Sequence, residues 1–287
     1  SWRRYSYGNF TGIRIMGVFQ NNLLAGAAAA ASAGGGAFYS YQIEQSMRFD
    51  YIGTNSGTYL TRTPSSAGNR KTYTISMWVK RTSIVNLNQL ISAQVTSTTN
   101  DVDNYNFRPS SENPQLNLGF NGGNSGRVQA SAFFRDLSGW SHIVMRVDTT
   151  QSTAADRVRI YLNGTQLTDL AYNTYPSQDY QGGFGNTREH AVGWGTGANN
   201  GYPFDGYMAE VIYADGQSYA PTQFGETKNG VWIPKDPSGT SFGTTGFHLK
   251  FENASDLGND SSGNNNDFSV TNGGADHQVL DSPTFGS

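Results

Sequence analysis

The sequence predicts an all-β protein, a two-sheet antiparallel jelly-roll sandwich preceded by an irregular N-terminal arm. From Met47 onward, short stretches alternate apolar and polar residues, a pattern typical of strands with one buried face. Aromatic residues make up 13% of the chain and fit pleated surfaces, while 35 glycines supply the turns between short strands. After Met47, no window of a dozen residues has the 3.6-residue apolar period of a helix.

Residues 1–45 differ from the rest, and we expect them to form a docking arm with an Ala/Gly-rich linker ahead of a sandwich over residues 46–287. Two early arginines, an apolar stretch and a run of small residues resemble a secretory signal, but Gln20–Asn22 interrupt the apolar stretch. With Arg14, they also leave no apolar run of membrane-spanning length, so we expect no membrane insertion. The other interpretation is a strand-and-linker extension of the domain. The residues expected to dock are Trp2, Arg3, Arg4, Tyr5 and Phe10.

The strand candidates follow one another at regular spacing. Tyr73–Arg81 places Ile, Met and Val on one face, and Trp140–Asp148 alternates in the same way. Arg157–Leu167 is a predicted hairpin because Asn163 and Gly164 stand between two alternating runs, as a type I′ turn requires. The remaining candidates are Gly206–Gly216, Gly246–Glu252 and the stretches MRFD, YLTRT, QLISAQV, QLNLGF, RVQASAFF and DFSV.

Charge and cysteine content exclude several classes of function. Lys and Arg together number 19 against 22 Asp and Glu, whereas a nucleic-acid-binding domain carries a clustered basic surface. The chain has no cysteine, which excludes disulfides, cysteine-based zinc sites and thiol nucleophiles. The partners we expect are therefore proteins, sugars or further copies of the chain.

Four stretches, TISMWVKR, WSHIVMRVD, RVRIYLNGTQL and FDGYMAEVIYADG, occur in the order in which similar stretches follow one another in laminin G-like domains. Over about Met47–Phe268 the chain therefore resembles the concanavalin A-like lectin/glucanase superfamily, and specifically its laminin G-like group. The resemblance implies a sandwich of that type.

A narrower resemblance concerns TYLTRTPSSAGNRKTYTISMWVKR, DTTQSTAADRVRIYLNGTQLT, PTQFGETKNGVWIPK and the Ala/Gly-rich N-terminus. These stretches resemble modules of tailed-bacteriophage virion proteins of the tail, fibre or capsid-associated kind. The resemblance implies a non-enzymatic virion component on the capsid or tail surface, docked to other virion proteins through the arm. It also favours a homotrimer, a habit of fibre-like virion proteins. Binding of host-surface glycans is the expected function, and packing against neighbouring virion subunits without glycan binding is the alternative.

A glycan depolymerase is the less favoured alternative. Glycoside hydrolysis needs two carboxylates flanking the scissile bond, and glucanases of this superfamily carry theirs as E-x-D-x-E on one strand. No such triplet occurs among the six glutamates, and the nearest candidate is Glu210, which the alternation places on one face with Met208 and Ile212. We expect Glu210 to be a structural group, and His142 and His248 to be structural imidazoles. No catalytic residue is predicted.

Two glycine-rich stretches, Tyr172–Asn186 and Val192–Gly206, combine aromatic rings with amides and carboxylates. A carbohydrate site needs such a combination, because a flat ring covers the apolar face of a sugar and polar groups bind its hydroxyls. The alternative is that these rings fill the edge of the sandwich or a subunit contact. The carbohydrate-binding candidates are Trp194, Asn199, Asn200, Tyr202, Asp205, Tyr175 and Tyr180.

No cofactor is predicted, with calcium as the one alternative. Calcium takes six to eight oxygen ligands, and the acidic, asparagine-rich stretches Asn100–Asn106 and Glu252–Ser269 are where such oxygens converge. Neither matches an EF-hand loop, so turns without metal are favoured. We expect Phe247–Phe251 and Asp267–Val270 to form a hairpin-like unit around the second stretch. The weak calcium candidates are Asp256, Asp260, Asp101 and Asp103.

Overall fold

The fold is all-β over the residues that the computed structural model describes, which are 38–53, 55–84, 87–97, 101–109, 114–197 and 201–285. Tyr39–Phe285 form one compact unit. The five docking candidates near the N-terminus lie outside the described residues. The described helices are 3-10 turns of three residues each, so none of them is long and apolar enough to cross a membrane.

Two eight-stranded antiparallel sheets pack face to face. The first has the order β12-β11-β10-β5-β15-β1-β20, with β18 also paired to β15, and the second has the order β13-β9-β8-β7-β6-β14-β4-β19. Two small hairpins, β2-β3 and β16-β17, complete the structure of the described residues. In chain order the strands are β1 (Ser46–Phe49), β2 (Tyr51–Gly53), β3 (Ser56–Gly57), β4 (Tyr59–Arg62), β5 (Thr72–Arg81), β6 (Asn88–Gln94), β7 (Val102–Arg108), β8 (Gln115–Phe120), β9 (Gly126–Ala130), β10 (Ser141–Asp148), β11 (Val158–Leu162), β12 (Thr165–Gln166), β13 (Leu170–Thr174), β14 (His190–Val192), β15 (Gly206–Asp215), β16 (Gly225–Lys228), β17 (Val231–Pro234), β18 (Phe247–Leu249), β19 (Ser269–Thr271) and β20 (Gln278–Val279).

The first sheet follows the predicted alternation. Met77 on β5 lies opposite Ile143 on β10, and both side chains belong to the core between the sheets. The predicted hairpin turn is also confirmed, because Asn163 and Gly164 have φ angles of 46° and 79°, both positive as a type I′ turn requires.

Aromatic rings fill the centre of the core. Phe184 is fully buried, and its ring centroid lies 5.4 Å from that of Tyr73, 5.1 Å from Tyr105 and 5.9 Å from Tyr213. Tyr73 and Tyr213 come from the first sheet and Tyr105 from the second, so Phe184 joins the two layers. Burial of one such ring is worth about 1.5–3 kcal/mol.

The outer face of the first sheet is covered. Trp232 on the β16-β17 hairpin donates a hydrogen bond from Nε1 to Nδ1 of His142, over 3.0 Å. A Cβ atom at Gly164 or at Gly225 would lie within 2.6 Å of the Trp232 ring, so both glycines make room for the indole. The amide-lined groove described below lies on the other side of the sandwich, on the outer face of the second sheet.

The alternation predicts that Glu210 shares one face with both Met208 and Ile212, and this is wrong for Met208, because Glu210 lies with Ile212 on the outer side of the first sheet. The β15–β5 register shifts between Ala209 and Ile212, and Glu210 has a φ angle of 50°, so a β-bulge resets the alternation. Met208 consequently points into the core between the sheets, whereas Ile212 packs with Val144 on the outer side of the first sheet.

The predicted C-terminal hairpin is also wrong. β18 pairs with β15 in the first sheet, whereas β19 pairs with β4 in the second. The intervening turn therefore crosses from one sheet to the other. Asp260 holds it against β18, since its carboxylate accepts a hydrogen bond from the backbone N–H of His248 over 2.8 Å.

Candidate functional site

A row of four amide side chains crosses the outer face of the second sheet. Gln89 on β6 lies opposite Asn106 on β7, Asn106 opposite Asn117 on β8, and Asn117 opposite Gln129 on β9. Their neighbours along each strand, such as Leu116 and Leu118 beside Asn117, point into the core. The row is therefore a direct product of period-2 alternation in four adjacent strands.

Hydrogen bonds fix the orientation of each amide in this row. Asn117 donates from Nδ2 to Oδ1 of Asn106 over 3.3 Å, and Asn106 donates from Nδ2 to Oε1 of Gln89 over 3.2 Å. Gln89 then donates to the backbone carbonyls of Ile91 and Tyr105. Because no amide in the row is more than 4% exposed, these groups are held rigidly at the base of the surface.

A cavity of about 470 Å³, here called the amide groove, lies over this row. The missing side chain of Gly119 leaves a gap in the floor, which a Cβ atom would fill in ordinary van der Waals contact with three neighbouring atoms at 3.7 Å. Asn104, which lies opposite Gly119, is 7% exposed, and its Oδ1 has no hydrogen-bond partner within the part of the chain that the structure describes. The floor consists of Gln89, Asn104, Asn106, Asn117 and Gly119, and the more exposed rim consists of Leu87, Arg108, Arg127, Tyr202 and the turn 122–124.

Arg127 is the most strongly held rim residue. Its Nε donates to Oδ1 of Asn117 over 3.0 Å, and its Nη2 donates to Oε1 of Gln129. Its guanidinium carbon lies 3.7 Å from the ring centroid of Tyr172, which is 48% exposed on the edge strand β13. Partial burial, and then the charge of nearby Arg108, lower the pKa of Arg127.

Tyr202 is the one predicted sugar-binding residue that lines the groove. Its side chain is 40% exposed, and its backbone carbonyl accepts a hydrogen bond from the N–H of Gln89 over 3.1 Å. The residue has a φ angle of 56°, so the backbone that carries the ring is in the left-handed region. Asn199 and Asn200, predicted to act beside it, lie outside the described residues.

The other predicted sugar-binding residues lie elsewhere. Trp194 is 6% exposed and stacks on Tyr59 with a centroid distance of 4.3 Å, which leaves no open ring face for a sugar. Tyr175 packs against the core, and Tyr180 donates its hydroxyl to Oδ1 of Asp103 over 3.1 Å. Asp205 forms an ion pair with the guanidinium of an arginine on β1. The structure does not bring these four residues together with Tyr202 around one open surface.

Asp103 lies inside strand β7 and not in a metal-binding loop. Its carboxylate accepts hydrogen bonds from the backbone N–H groups of Gly183 and Asn121, over 2.7 and 2.9 Å, and from Tyr180. Burial raises its pKa to about 6, although these donors oppose the shift. Asp101, just before the strand, accepts a hydrogen bond from Thr96.

The carboxylate of Asp260 organises the C-terminal turn. It accepts hydrogen bonds from the N–H groups of His248, Ser262 and Asn266 and from the Ser262 hydroxyl, at 2.7–2.9 Å. An ionised carboxylate has about four lone-pair sites, so these donors use its capacity. Asp256, by contrast, is exposed. Among the described residues, no three acidic or histidine side chains are grouped to hold a metal ion.

The buried acid and histidines have structural partners. Glu210 accepts from Nε2 of His248 over 2.6 Å and from the hydroxyl of Tyr41 over 3.1 Å. Since Nδ1 of His142 accepts a hydrogen bond from Trp232, a neutral imidazole carries its proton on Nε2, and this N–H donates a hydrogen bond to the hydroxyl of Ser76 over 2.8 Å. The ring is therefore placed to hold Ser76 Oγ as an acceptor, not to remove its proton.

A two-sheet sandwich with one covered face and one open, amide-lined face defines a lectin-like module. The family profile described as concanavalin A-like lectin/glucanases superfamily, of the laminin G type, matches residues 52–217. The chain belongs to this superfamily, which confirms the resemblance found in the sequence. A search of curated proteins gave no match.

Several solved structures are similar to part of this chain at low sequence identity. A heptameric SAP-like pentraxin from Limulus polyphemus is 14% identical, with 61% of this chain and 77% of that chain covered and a TM-score of 0.43. Tailspike protein 2 of Escherichia coli O157:H7 bacteriophage CAB120 is 12% identical, with 60% and 23% covered and a TM-score of 0.41. A Ruminococcus gnavus sialidase CBM40 bound to α2,3-sialyllactose is 14% identical, with 57% and 89% covered and a TM-score of 0.35.

Sequence reasoning missed the amide groove, although its signal is present. The stretches NYNF (104–107), QLNLGF (115–120) and RVQA (127–130) each alternate amide or basic residues with core residues. Loop aromatics were favoured instead, and the first of these stretches was interpreted as part of a loop. The amides lie side by side only because of the register of four paired strands, and that register cannot be read from the sequence of any one strand.

Proposed function

We propose that this protein is a non-enzymatic bacteriophage virion structural protein whose lectin-like sandwich binds host-surface glycans in the amide groove. The observation that carries the glycan part is the rigid amide floor together with the unpartnered Oδ1 of Asn104. Sugar hydroxyls both donate and accept hydrogen bonds, and so do primary amides.

The floor is suited to sugar hydroxyls because its side chains are already ordered before a ligand binds. Each direct hydrogen bond contributes a net free energy of about 0.5–1.5 kcal/mol, and prior immobilisation of the side chains reduces the entropic cost of binding. Tyr202 adds a half-exposed ring at the rim, where an aromatic face can cover the apolar side of a pyranose. The groove is also open and polar, as a binding site for an extended saccharide needs to be.

The chemistry of the groove supports a binding role and not hydrolysis. Glycoside hydrolysis uses two carboxylates about 5–9.5 Å apart, and the groove-lining residues that the structure describes include neither Asp nor Glu. Glu210, the nearest catalytic candidate in the sequence, is 6% exposed and bound by His248 and Tyr41.

The virion part of the proposal is supported by the resemblance of the sequence to tailed-phage virion modules. In this proposal the arm over residues 1–45 docks the protein to other virion proteins at the capsid or tail surface, and the chain forms a homotrimer. Mass spectrometry of purified particles tests the location through the copy number. Particle incorporation of a chain lacking residues 1–40 tests the arm, and light scattering of the purified protein tests the trimer.

A glycan array with the full chain tests the binding function. We expect binding to bacterial surface glycans and its loss in Gly119→Val, because the valine side chain fills the gap in the groove floor while its Cβ atom meets no neighbour within 3.7 Å. Gly53→Val is the matched control, since a Cβ atom at this β2 glycine has no neighbour within 4 Å and lies away from the groove. Equal melting temperatures for the three proteins would show that both variants fold.

The outcomes separate the candidate functions. No binding by the wild-type chain at millimolar sugar would overturn the adhesive function and favour a decoration or fibre protein that packs against neighbouring subunits. Binding that survives Gly119→Val would place the site elsewhere. Release of reducing ends from a host polysaccharide would overturn the non-enzymatic assignment, and Glu210→Gln would then be the first variant to assay.

A further inference from the structure

The charged residues that line the amide groove are positive in the described part of the chain. They are Arg108 and Arg127, and no described lining residue is Asp or Glu. Over the whole chain, acidic residues outnumber basic ones by 22 to 19. The net charge of the groove lining is therefore positive, whereas the net charge of the whole chain is negative.

Neither arginine has an ion-pair partner among the residues that the structure describes. The described salt bridges instead use other cations, such as Arg48 with Asp205 and Arg159 with Asp156. Partial burial, and then the positive charge of Arg108, lower the pKa of Arg127, so the Arg127 guanidinium experiences repulsion from Arg108. An anion bound between them would relieve this repulsion.

The two guanidinium groups differ in how they are held. Arg127 is fixed by Asn117, Gln129 and the ring of Tyr172, and this arrangement orients its planar fork before a ligand arrives. Arg108, at the end of β7, is exposed and free to turn toward a ligand. Gly119 lies opposite Arg127 on one side and opposite Asn104 on the other, so the gap at Gly119 is bordered by the fixed arginine and by the unpartnered, nine-tenths buried side chain of Asn104.

We propose that the groove selects acidic saccharides, with the guanidinium groups of Arg108 and Arg127 binding the anionic group of a sugar while Asn104 and the amide row bind its hydroxyls. This inference rests on the proposed glycan binding and names the chemical class of the glycan. Charge-assisted hydrogen bonds from guanidinium to carboxylate or sulfate are about twice as strong as neutral ones, so the acidic group dominates selectivity. The residues that line the groove offer the same chemistry to both anions.

Titration calorimetry of the full chain with paired polysaccharides tests the proposal. One pair is polygalacturonate and its carboxyl-reduced form, and the other is dextran sulfate and dextran, so that each acidic polymer has a neutral counterpart. We expect at least tenfold tighter binding of the acidic member in one pair, and the pair identifies carboxylate or sulfate as the anion. Raising the salt concentration from 50 to 500 mM should weaken only the binding of the acidic member.

Three variants locate the effect. Arg108 is exposed, so Arg108→Gln should leave the fold intact, and Arg127→Gln removes the fixed guanidinium. Each variant should lower the affinity for the acidic polymer at least fivefold. Arg159→Gln on β11 is the matched control, because it changes the net charge by the same amount on the other sheet and removes a partly exposed ion pair with Asp156. An equal loss of affinity in Arg159→Gln would overturn the proposal, because the attraction would then come from overall charge.

Two further outcomes are distinguishable. If acidic and neutral polymers bind equally and Gly119→Val abolishes both, glycan binding stands and selectivity for acidic sugars is wrong. If neither member of either pair binds and the glycan array is also negative, the proposed function itself fails, and this inference fails with it.

Discussion

Asp260 offers a direct test of whether the C-terminal turn is held by hydrogen bonds or by a metal ion. Its carboxylate, 6% exposed, accepts from three backbone N–H groups and one hydroxyl at 2.7–2.9 Å. Asp260→Ala leaves the N–H groups of His248 and Asn266 buried without an acceptor. Each such group costs about 1–3 kcal/mol, so we expect the free energy of unfolding to fall by about 2–6 kcal/mol. That is a large part of the 5–15 kcal/mol typical of a domain.

Urea unfolding followed by tryptophan fluorescence measures this change. The matched control is Asp256→Ala in the same turn, which removes an exposed carboxylate and should change stability by no more than about 0.5 kcal/mol. A drop of less than about 1 kcal/mol in Asp260→Ala would show that the turn does not depend on this carboxylate. An equal drop in both variants would point to a general charge effect.

Calcium titration completes the test, because the two explanations of the turn differ in what they expect. Since four donors already use the lone pairs of Asp260, neither calcium nor a chelator should change the melting temperature of the wild-type chain. A calcium-dependent rise in the wild type that disappears in Asp260→Ala would refute this reasoning and make the aspartate a metal ligand.

Three further predictions concern the core and one turn. Burial lowers the pKa of His142 to about 3 and of His190 to about 4, so between pH 6.5 and about 4 these two imidazoles bind protons only in the unfolded chain. As the pH falls through this range, the free energy of unfolding therefore decreases by about 2.7 kcal/mol per pH unit. Burial raises the pKa of Asp103 to about 6, so between pH 6 and 4 folding takes up one proton at Asp103 and offsets about half of that slope. Asp103→Asn should therefore steepen the pH dependence of the free energy of unfolding, measured by urea unfolding at stepped pH. An unchanged slope would contradict this prediction. Gly164→Ala should lower the free energy of unfolding by at least about 2 kcal/mol, because φ is 79° and the Cβ atom would lie 2.4 Å from an indole carbon; a neutral change would contradict the observed turn. Phe184→Ala should cost about 3–5 kcal/mol in the same assay by opening a cavity between the sheets, and a loss below about 1 kcal/mol would mean that the core collapses around it.

The strands that the sequence predicts well are those whose alternation is unbroken. β5 and β10 each place every second residue in the core, and Asn163 with Gly164 specifies its turn locally. These features need no knowledge of distant residues. The laminin G-like order of the motifs predicted that the strands form a sandwich, and the family match agrees with this prediction.

The failures come from interactions that are distant in sequence. The outer face of β7 carries amides that line the groove, so its sequence alone resembles that of a polar loop. Its role as a strand becomes apparent only from its pairing with β6 and β8. The bulge at Glu210 puts the carboxylate within reach of His248 on β18, a partner that becomes a neighbour only through strand pairing. The C-terminal strands separate because each pairs with a sheet formed earlier in the chain, and no local signal states which one.

The same dependence on register distinguishes the amide groove from an ordinary polar sheet surface. Solvent-facing amides on a sheet are normally hydrated and mobile, whereas four in this row are at most 4% exposed and bonded to one another or to neighbouring groups. Burying amide groups is unfavourable unless their hydrogen bonds are satisfied. Each amide of the row has a hydrogen-bond partner within the protein, yet Asn104 beside it has an unpartnered oxygen within the described structure, at a cost of about 1–3 kcal/mol. Under the proposed function, a sugar hydroxyl that donates to this oxygen would offset that cost, which predicts affinity for a polyhydroxylated ligand.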